Sequence, residues 1–220
     1  MFVGHLGVGL GLKKIDKRIN LGWIFLASLF PDFLLGLLTL FGLEEILIPA
    51  NYADLHYLQF SFPYSHSVVA ILIWTSLVFI LTKKYWPSVN GEKTKAAIIF
   101  SSAIFLHFIA DLLVHHSDIP LLNNNSTMFG LGLWNNMTIA LIFEISLVIA
   151  GIIIYLKSTQ GSGFGSKYGI VILMIILSLF NVLGQTLAPA PADTSGPAIS
   201  FIAQPILISG IAFWLDKKRS

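Results

Sequence analysis

The sequence has no cysteine and few charged residues. Without cysteine, its 220 residues can form neither a disulfide framework nor a thiolate metal site, so any metal must be held by histidine, aspartate or glutamate. Charged residues make up 11% of the chain, against roughly a quarter in soluble domains, while 55% is hydrophobic. This composition is typical of an integral membrane protein, and the length allows one domain.

Long apolar stretches dominate what is present. Six of them approach the roughly 20 residues of a membrane-spanning helix, at about 21–42, 67–83, 96–116, 138–156, 168–188 and 196–215. The glycine-rich stretch 2–12 is too short to span and predicts a short helix packed against the bundle. We therefore expect an all-α, polytopic membrane helix bundle of about six spans plus a short N-terminal helix. It would form a single domain over 1–220, with the last two spans as an addition to the first four.

The basic residues predict an orientation for these spans. All 13 lie near the N-terminus, in or beside the connections that follow the second and fourth spans, or at the C-terminus. With six spans, all of these regions are on the same side of the membrane. The opposite loops, 43–66, 117–137 and 189–195, contain no lysine or arginine. The positive-inside rule then predicts that both termini are cytoplasmic. Because topology already explains these scattered charges, they do not indicate nucleic-acid binding.

One stretch near the end of the third span carries three candidate metal ligands. His107, Asp111 and His115 recur every four residues, so on a helix they share one face. Imidazole and carboxylate groups are ligands of zinc-like cations. A plainer interpretation is a helix end that becomes polar as it reaches water, although an ionisable group inside a membrane helix is a functional candidate by default.

Polar residues of other segments are predicted to lie at a similar depth. Counting about 1.5 Å per helical residue from the nearest basic residue puts His5 at about 12 Å, Asp32 at about 21 Å and His66 at about 26 Å. The same count puts His107 at about 18 Å and Glu144 at about 20 Å. Separate helices could carry polar groups at any height, so this agreement predicts one shared site in the outer half of the membrane.

Three of these residues also have a purely structural interpretation. Asp32 follows a proline and could repair the hydrogen bonding of a kinked helix. His66 could be an interfacial histidine beside Ser65 or Ser67, either of which can cap a helix. Glu144 could orient a histidine ligand as well as act in catalysis.

The motifs that carry these residues resemble a known family. GHLGVGL, LFPDF, PYSHS and HFIAD are similar to motifs of the YdjM-like, LexA-binding family of inner-membrane metal-dependent hydrolases. The resemblance covers residues 1–145 and implies a divalent metal, a bacterial inner-membrane location and a ligand set of His5, Asp32, His66, His107 and Asp111. One departure is Leu34, where many members have a second acid.

The order of the ligands is also similar to that in the zinc-dependent phospholipase C and single-strand nuclease group, which is all-helical and cleaves phosphoesters. In that group a His-x-x-x-Glu motif completes the site, and no such motif follows His116. The likeness suggests phosphoester chemistry on a membrane lipid or a lipid-linked small substrate.

The leading hypothesis is a membrane-embedded metal-dependent hydrolase. One or two divalent ions, with zinc favoured, would be held by His5, Asp32, His66, His107, Asp111 and His115. Asp118 or Glu144 would serve as general base. Two other classes stay open: an ion-coupled transporter that uses the same groups as a relay, and a scaffold whose polar cluster only fixes helix packing. The sequence does not indicate an oligomeric state.

Overall fold

The computed structural model describes residues 1–87 and 92–219, and these ranges are mostly helical. A 3-10 turn, Leu133–Asn135, precedes the seventh helix. The α-helices of the described ranges are α1 Val3–Leu12, α2 Leu21–Ser28, α3 Phe30–Leu40, α4 Tyr52–Leu55, α5 Val68–Tyr85, α6 Glu92–Val114, α7 Met137–Ser158, α8 Phe164–Leu187 and α9 Ser195–Asp216.

Five of the described helices, α5 to α9, are long and apolar enough to cross a membrane. The pair α2 and α3 passes the same test as one unit with a bend of 52°, which makes up to six spans. The shorter apolar helix α1 lies ahead of them. The predicted all-α membrane bundle of about six spans with a short N-terminal helix is thereby confirmed.

The first span, predicted as one helix over 21–42, is broken at Leu29. Pro31 lies in the first turn of α3, where its missing N–H would have had no helical partner. Asp32 follows it in the same turn. Ser28 ends α2, so its carbonyl is free of the helical hydrogen-bond ladder. The break therefore offers one carbonyl and one carboxylate to the middle of the bundle.

Two short hairpins lie in the loops that join α3 to α5 and α6 to α7. Strand β1, Glu45–Leu47, pairs antiparallel with β2, Gln59–Ser61, and β3, Ile119–Pro120, pairs antiparallel with β4, Met128–Phe129. Neither hairpin is predicted from the sequence, because strands of two or three residues are too short to show a period-two pattern.

Glycines allow the closest helix contacts. A Cβ on Gly7 of α1 would lie 2.6 Å from backbone atoms of Leu147 in α7. A Cβ on Gly36 of α3 would lie 2.6 Å from the carbonyl oxygen of Ala198 in α9. Backbones this near each other require small residues. The predicted packing of the glycine-rich N-terminal helix against the bundle is confirmed as α1 on α7.

Candidate metal centre

Five of the predicted ligands meet inside the bundle. They come from α1, α3, the loop before α5, and α6, and all five are buried: His5, Asp32, His66, His107 and Asp111. Two overlapping groups of three each bring their ligand atoms within 4.8 Å of one another. One group is His5, Asp32 and His107, and the other is His66, His107 and Asp111.

Asp111 contacts three of the histidines. Its Oδ2 lies 2.9 Å from His107 Nε2 and 3.8 Å from His66 Nε2, and its Oδ1 lies 3.1 Å from His5 Nε2. Asp32 Oδ1 lies 3.7 Å from His66 Nε2 and 3.9 Å from His107 Nε2. In a tetrahedral zinc site, bonds of roughly 2.0–2.1 Å put the ligand atoms about 3.3 Å apart. The observed separations are therefore close to those of a ligand shell.

Two histidines face the cluster with Nε2 because Nδ1 is engaged elsewhere. His107 Nδ1 donates to the free carbonyl of Ser28 at 2.7 Å. His66 Nδ1 lies 2.7 Å from the hydroxyl oxygen of Ser65. In a metal-binding histidine, the ring nitrogen that does not bind the metal typically carries the proton and donates a hydrogen bond to an oxygen. The metal-binding nitrogen is then unprotonated.

Two features of the cluster fit a cation. With both Nδ1 atoms protonated, His66 Nε2 and His107 Nε2 carry lone pairs that face each other at 3.3 Å, an arrangement that a cation between them would stabilise. His5 is fully buried and stacked on His107, yet neither of its nitrogens has a hydrogen-bond partner among the described residues. Its 3.1 Å approach to Asp111 lacks hydrogen-bond geometry. Because an unpartnered buried nitrogen is costly, these residues suit a divalent ion.

One positive group already contacts the cluster. The α-amino nitrogen of Met1 lies 3.0 Å from Asp111 Oδ1 and is buried with it. It offsets part of the charge of the two carboxylates. Asp111 Oδ2 and Asp32 remain directed at the histidines.

His115 lies at the edge of the cluster. Helix α6 ends at Val114, but the backbone N–H of His115 still donates to the carbonyl oxygen of Asp111 at 2.8 Å. The side chain of His115 belongs to neither group of three. Its Nε2 is 4.0 Å from Asp111 Oδ1, and its Nδ1 is 3.1 Å from Asp118 Oδ1. Asp118 therefore orients His115, and its role as general base stays a prediction.

Glu144, a residue of α7, has its carboxylate at the N-terminal end of α1. Its Oε2 accepts hydrogen bonds from the backbone N–H groups of Phe2 at 3.0 Å and Gly4 at 3.2 Å. Such groups at a helix N-terminus have no partner within the helix. Asn181 of α8 adds a 3.5 Å contact to the same oxygen. The carboxylate therefore anchors the helix that carries His5, and its catalytic role stays a prediction.

A cavity of about 200 Å³ opens onto one side of the cluster. Asp32, His66 and His115 reach it, whereas the other ligands lie deeper. Most of the remaining wall is apolar or aromatic and includes Leu35, Tyr52, Tyr57, Phe60, Phe62, Trp134 and Phe201. Burial, helped by the charge of Asp118, raises the pKa of Tyr57 above its usual value.

The groups that hold the ligands are not predicted from the sequence. The Ser28 carbonyl and the Ser65 hydroxyl fix two histidines, and Glu44 in turn holds Ser65 at 2.7 Å. Ser67, one of two predicted caps, is the N-cap of α5. A serine directly before a histidine is a weak signal for such a pair, and a glutamate some 20 residues away gives none.

No model of a known protein family, no curated protein and no solved structure matches the chain. The resemblance to the YdjM-like family, which concerns short motifs, therefore stays a prediction. The chemistry of the centre is inferred from its geometry.

Proposed function

We propose that the protein is a membrane-embedded metal-dependent hydrolase. One observation carries the proposal: two buried histidines, each held through Nδ1, direct their free Nε2 atoms at one point beside two carboxylates. The donor set would be His5, Asp32, His66, His107 and Asp111, with zinc favoured among divalent ions. Such an ion supplies Lewis-acid polarisation of a phosphoryl or carbonyl oxygen.

The available lone pairs favour one ion over two. Both groups of three that could hold an ion include His107, whose Nδ1 is engaged by Ser28. Its Nε2 has one lone pair and binds one ion. In addition, Leu34 occupies the position at which many members of the YdjM-like family, which the motifs resemble, have a second acid.

The aromatic cavity supports a lipid or lipid-linked substrate. Apolar walls suit an acyl or prenyl portion, while Asp32 and His66 would meet the polar group to be cleaved. Asp32 belongs both to the donor set and to the cavity wall, so it would lie beside both the ion and the substrate. The likeness of ligand order to zinc-dependent phospholipase C favours a phosphoester.

The packing between the cluster and the basic end of the bundle favours hydrolysis over transport. Along α1, α2 and α6, the residues between the cluster and the basic end are largely apolar and form one buried core that includes Leu6, Leu10, Phe25, Ile99 and Phe100. A proton or ion relay would require polar groups along that path. The side whose loops contain no lysine or arginine would face outward, in a bacterial inner membrane with both termini cytoplasmic.

Metal analysis of the purified protein tests the proposal. The wild type in detergent should contain about one equivalent of a transition metal, and His107→Ala should lose it. His116→Gln is the matched control, because His116 adjoins His115 but is outside both groups of three. A wild type that stays metal-free after incubation with Zn²⁺, Mn²⁺ or Fe²⁺ would overturn the proposal, as would full metal content in a folded His107→Ala.

The substrate class needs a second experiment. Phe201→Trp adds bulk to the cavity wall at a residue outside both groups of three, so it should retain the metal and slow hydrolysis of a fluorescent phospholipid in mixed micelles. Hydrolysis of the small diester bis(4-nitrophenyl) phosphate should be affected less. Equal loss on both substrates would argue against a lipid-binding cavity, and activity on neither substrate in the wild type would argue against phosphoester chemistry.

A further inference from the structure

A buried carboxylate outside the cluster is linked through a serine hydroxyl to one of its histidines. Glu44, in the loop after α3, is 2% exposed. Its Oε1 accepts hydrogen bonds from the backbone N–H groups of Tyr64 at 2.7 Å and Ser65 at 2.8 Å. Its Oε2 accepts a third from the hydroxyl of Ser65 at 2.7 Å. Three donors thus fix the position of this carboxylate.

The direction of the hydrogen bonds follows from the single proton of the hydroxyl. Ser65 Oγ donates that proton to Glu44, so toward His66 Nδ1, 2.7 Å away, it can only accept. The ring proton of neutral His66 must then lie on Nδ1. Its Nε2 is left with a free lone pair, 3.3 Å from His107 Nε2 and 3.7 Å from Asp32 Oδ1.

His66 needs this control more than the other oriented histidines do. His107 is held by a carbonyl and His115 by a carboxylate, and both groups only accept. A hydroxyl can either accept or donate, so Ser65 alone would permit both tautomers of His66.

We propose that Glu44 is a positioning residue that acts through Ser65 to hold His66 as the Nδ1–H tautomer and keep Nε2 free for a cation. Its value for metal binding rests on the proposed function. The tautomer itself does not, because it can be measured in metal-free protein.

The conservative substitution Glu44→Gln should reverse the direction of the hydrogen bonds that link residue 44, Ser65 and His66. The amide oxygen can accept from the two backbone N–H groups, which places the NH₂ group against Ser65 Oγ. The serine hydroxyl then donates to His66 Nδ1, and the ring proton moves to Nε2. That nitrogen can no longer bind a cation without losing its proton.

Nitrogen-15 NMR of histidine-labelled, metal-free protein in detergent micelles tests the proposal, with His66→Gln to assign the signal. His66 should be Nδ1–H in the wild type, Nε2–H in Glu44→Gln and a mixture in Ser65→Ala. The matched control is Glu45→Gln, whose side chain is exposed in β1 and should leave the tautomer unchanged. Zinc affinity should fall roughly 10- to 100-fold in Glu44→Gln and remain at the wild-type level in Glu45→Gln.

The inference is overturned if His66 is Nε2–H in the wild type, a result that does not depend on the folding of Glu44→Gln, or if folded Glu44→Gln keeps the Nδ1–H tautomer. If Glu44→Gln switches the tautomer of His66 but the wild type binds no metal, the role of Glu44 is supported and the proposed function is refuted. Bound metal with no tautomer switch would do the reverse.

Discussion

Gly7→Ala should disturb the candidate metal centre without altering a ligand. The new Cβ would lie 2.6 Å from backbone atoms of Leu147, whereas ordinary contact distances begin at 3.4 Å. Helix α1 must therefore move by about 0.8 Å, the difference between these two distances. Overpacking of this kind costs about 1–3 kcal/mol, and a backbone neighbour that cannot rotate away favours the upper end. Alanine recovers about 1 kcal/mol in helix propensity, which leaves a net loss of about 2 kcal/mol.

The displacement should also reach the cluster. His5 lies on α1 two residues before Gly7, and its Nε2 is 3.1 Å from Asp111 Oδ1. A shift of α1 by a large fraction of an ångström would separate these atoms, so metal content should fall along with stability.

Gly11→Ala is the matched control for this prediction. It is on the same helix, but among the described residues its new Cβ would meet only Ile154 Cδ1, at an ordinary 3.8 Å. Its stability should be unchanged or higher by up to about 1 kcal/mol. Thermal unfolding and metal content in the same detergent provide the comparison. If Gly7→Ala matches Gly11→Ala in both measurements, the close contact between α1 and α7 is not what positions His5.

Two further predictions concern the basic end of the bundle. Asp216→Ala should lower stability by about 3–5 kcal/mol, because it leaves Lys13, which is 1% exposed, without its partner. Tyr155→Phe, which removes one donor to Asp216, should cost about 1.5 kcal/mol, and thermal unfolding should rank the two variants in that order without change in metal content. Hydrogen bonds from Arg18 hold the pKa of Asp16 below its usual value, so the stability that this pair contributes is present above about pH 4 and is lost as the pH falls further. Asp16→Asn should therefore flatten the dependence of melting temperature on pH below about pH 4, and an unchanged acid slope would show that other carboxylates cause it.

Hydropathy predicts most of the fold because lipid leaves the backbone few alternatives to a helix. The first span is the exception. Proline indicates a kink, but the bend also depends on α9, against which both halves pack through glycine. A Cβ on Gly22 would lie 2.5 Å from the Ser209 carbonyl oxygen, and one on Gly36 would lie 2.6 Å from that of Ala198. Such tertiary contacts are not visible in the periodicity of one segment.

Depth along the helices predicts which ligands could meet, but not what orients them. Asp32 and His107 are placed by counting residues in segments that cross the membrane, and His5 by the same count in the short helix α1. Glu44 reaches Ser65 because β1 pairs with β2, with Glu45 opposite Ser61, so the hairpin returns the chain to the loop before α5. Neither hairpin nor register could be predicted from three-residue strands.

The centre depends on backbone groups as much as on side chains, which explains where Glu144, one of the two predicted general bases, lies. A helix that ends in the bundle leaves carbonyls unpaired, and one that begins there leaves N–H groups unpaired. His107 satisfies the carbonyl of Ser28, and Glu144 satisfies the N–H groups at the start of α1. Asp118 likewise satisfies His115. A carboxylate predicted by residue type and depth alone is as well suited to complete such unpaired groups as to accept a proton from substrate, and hydrogen-bond partners are what distinguish the two roles.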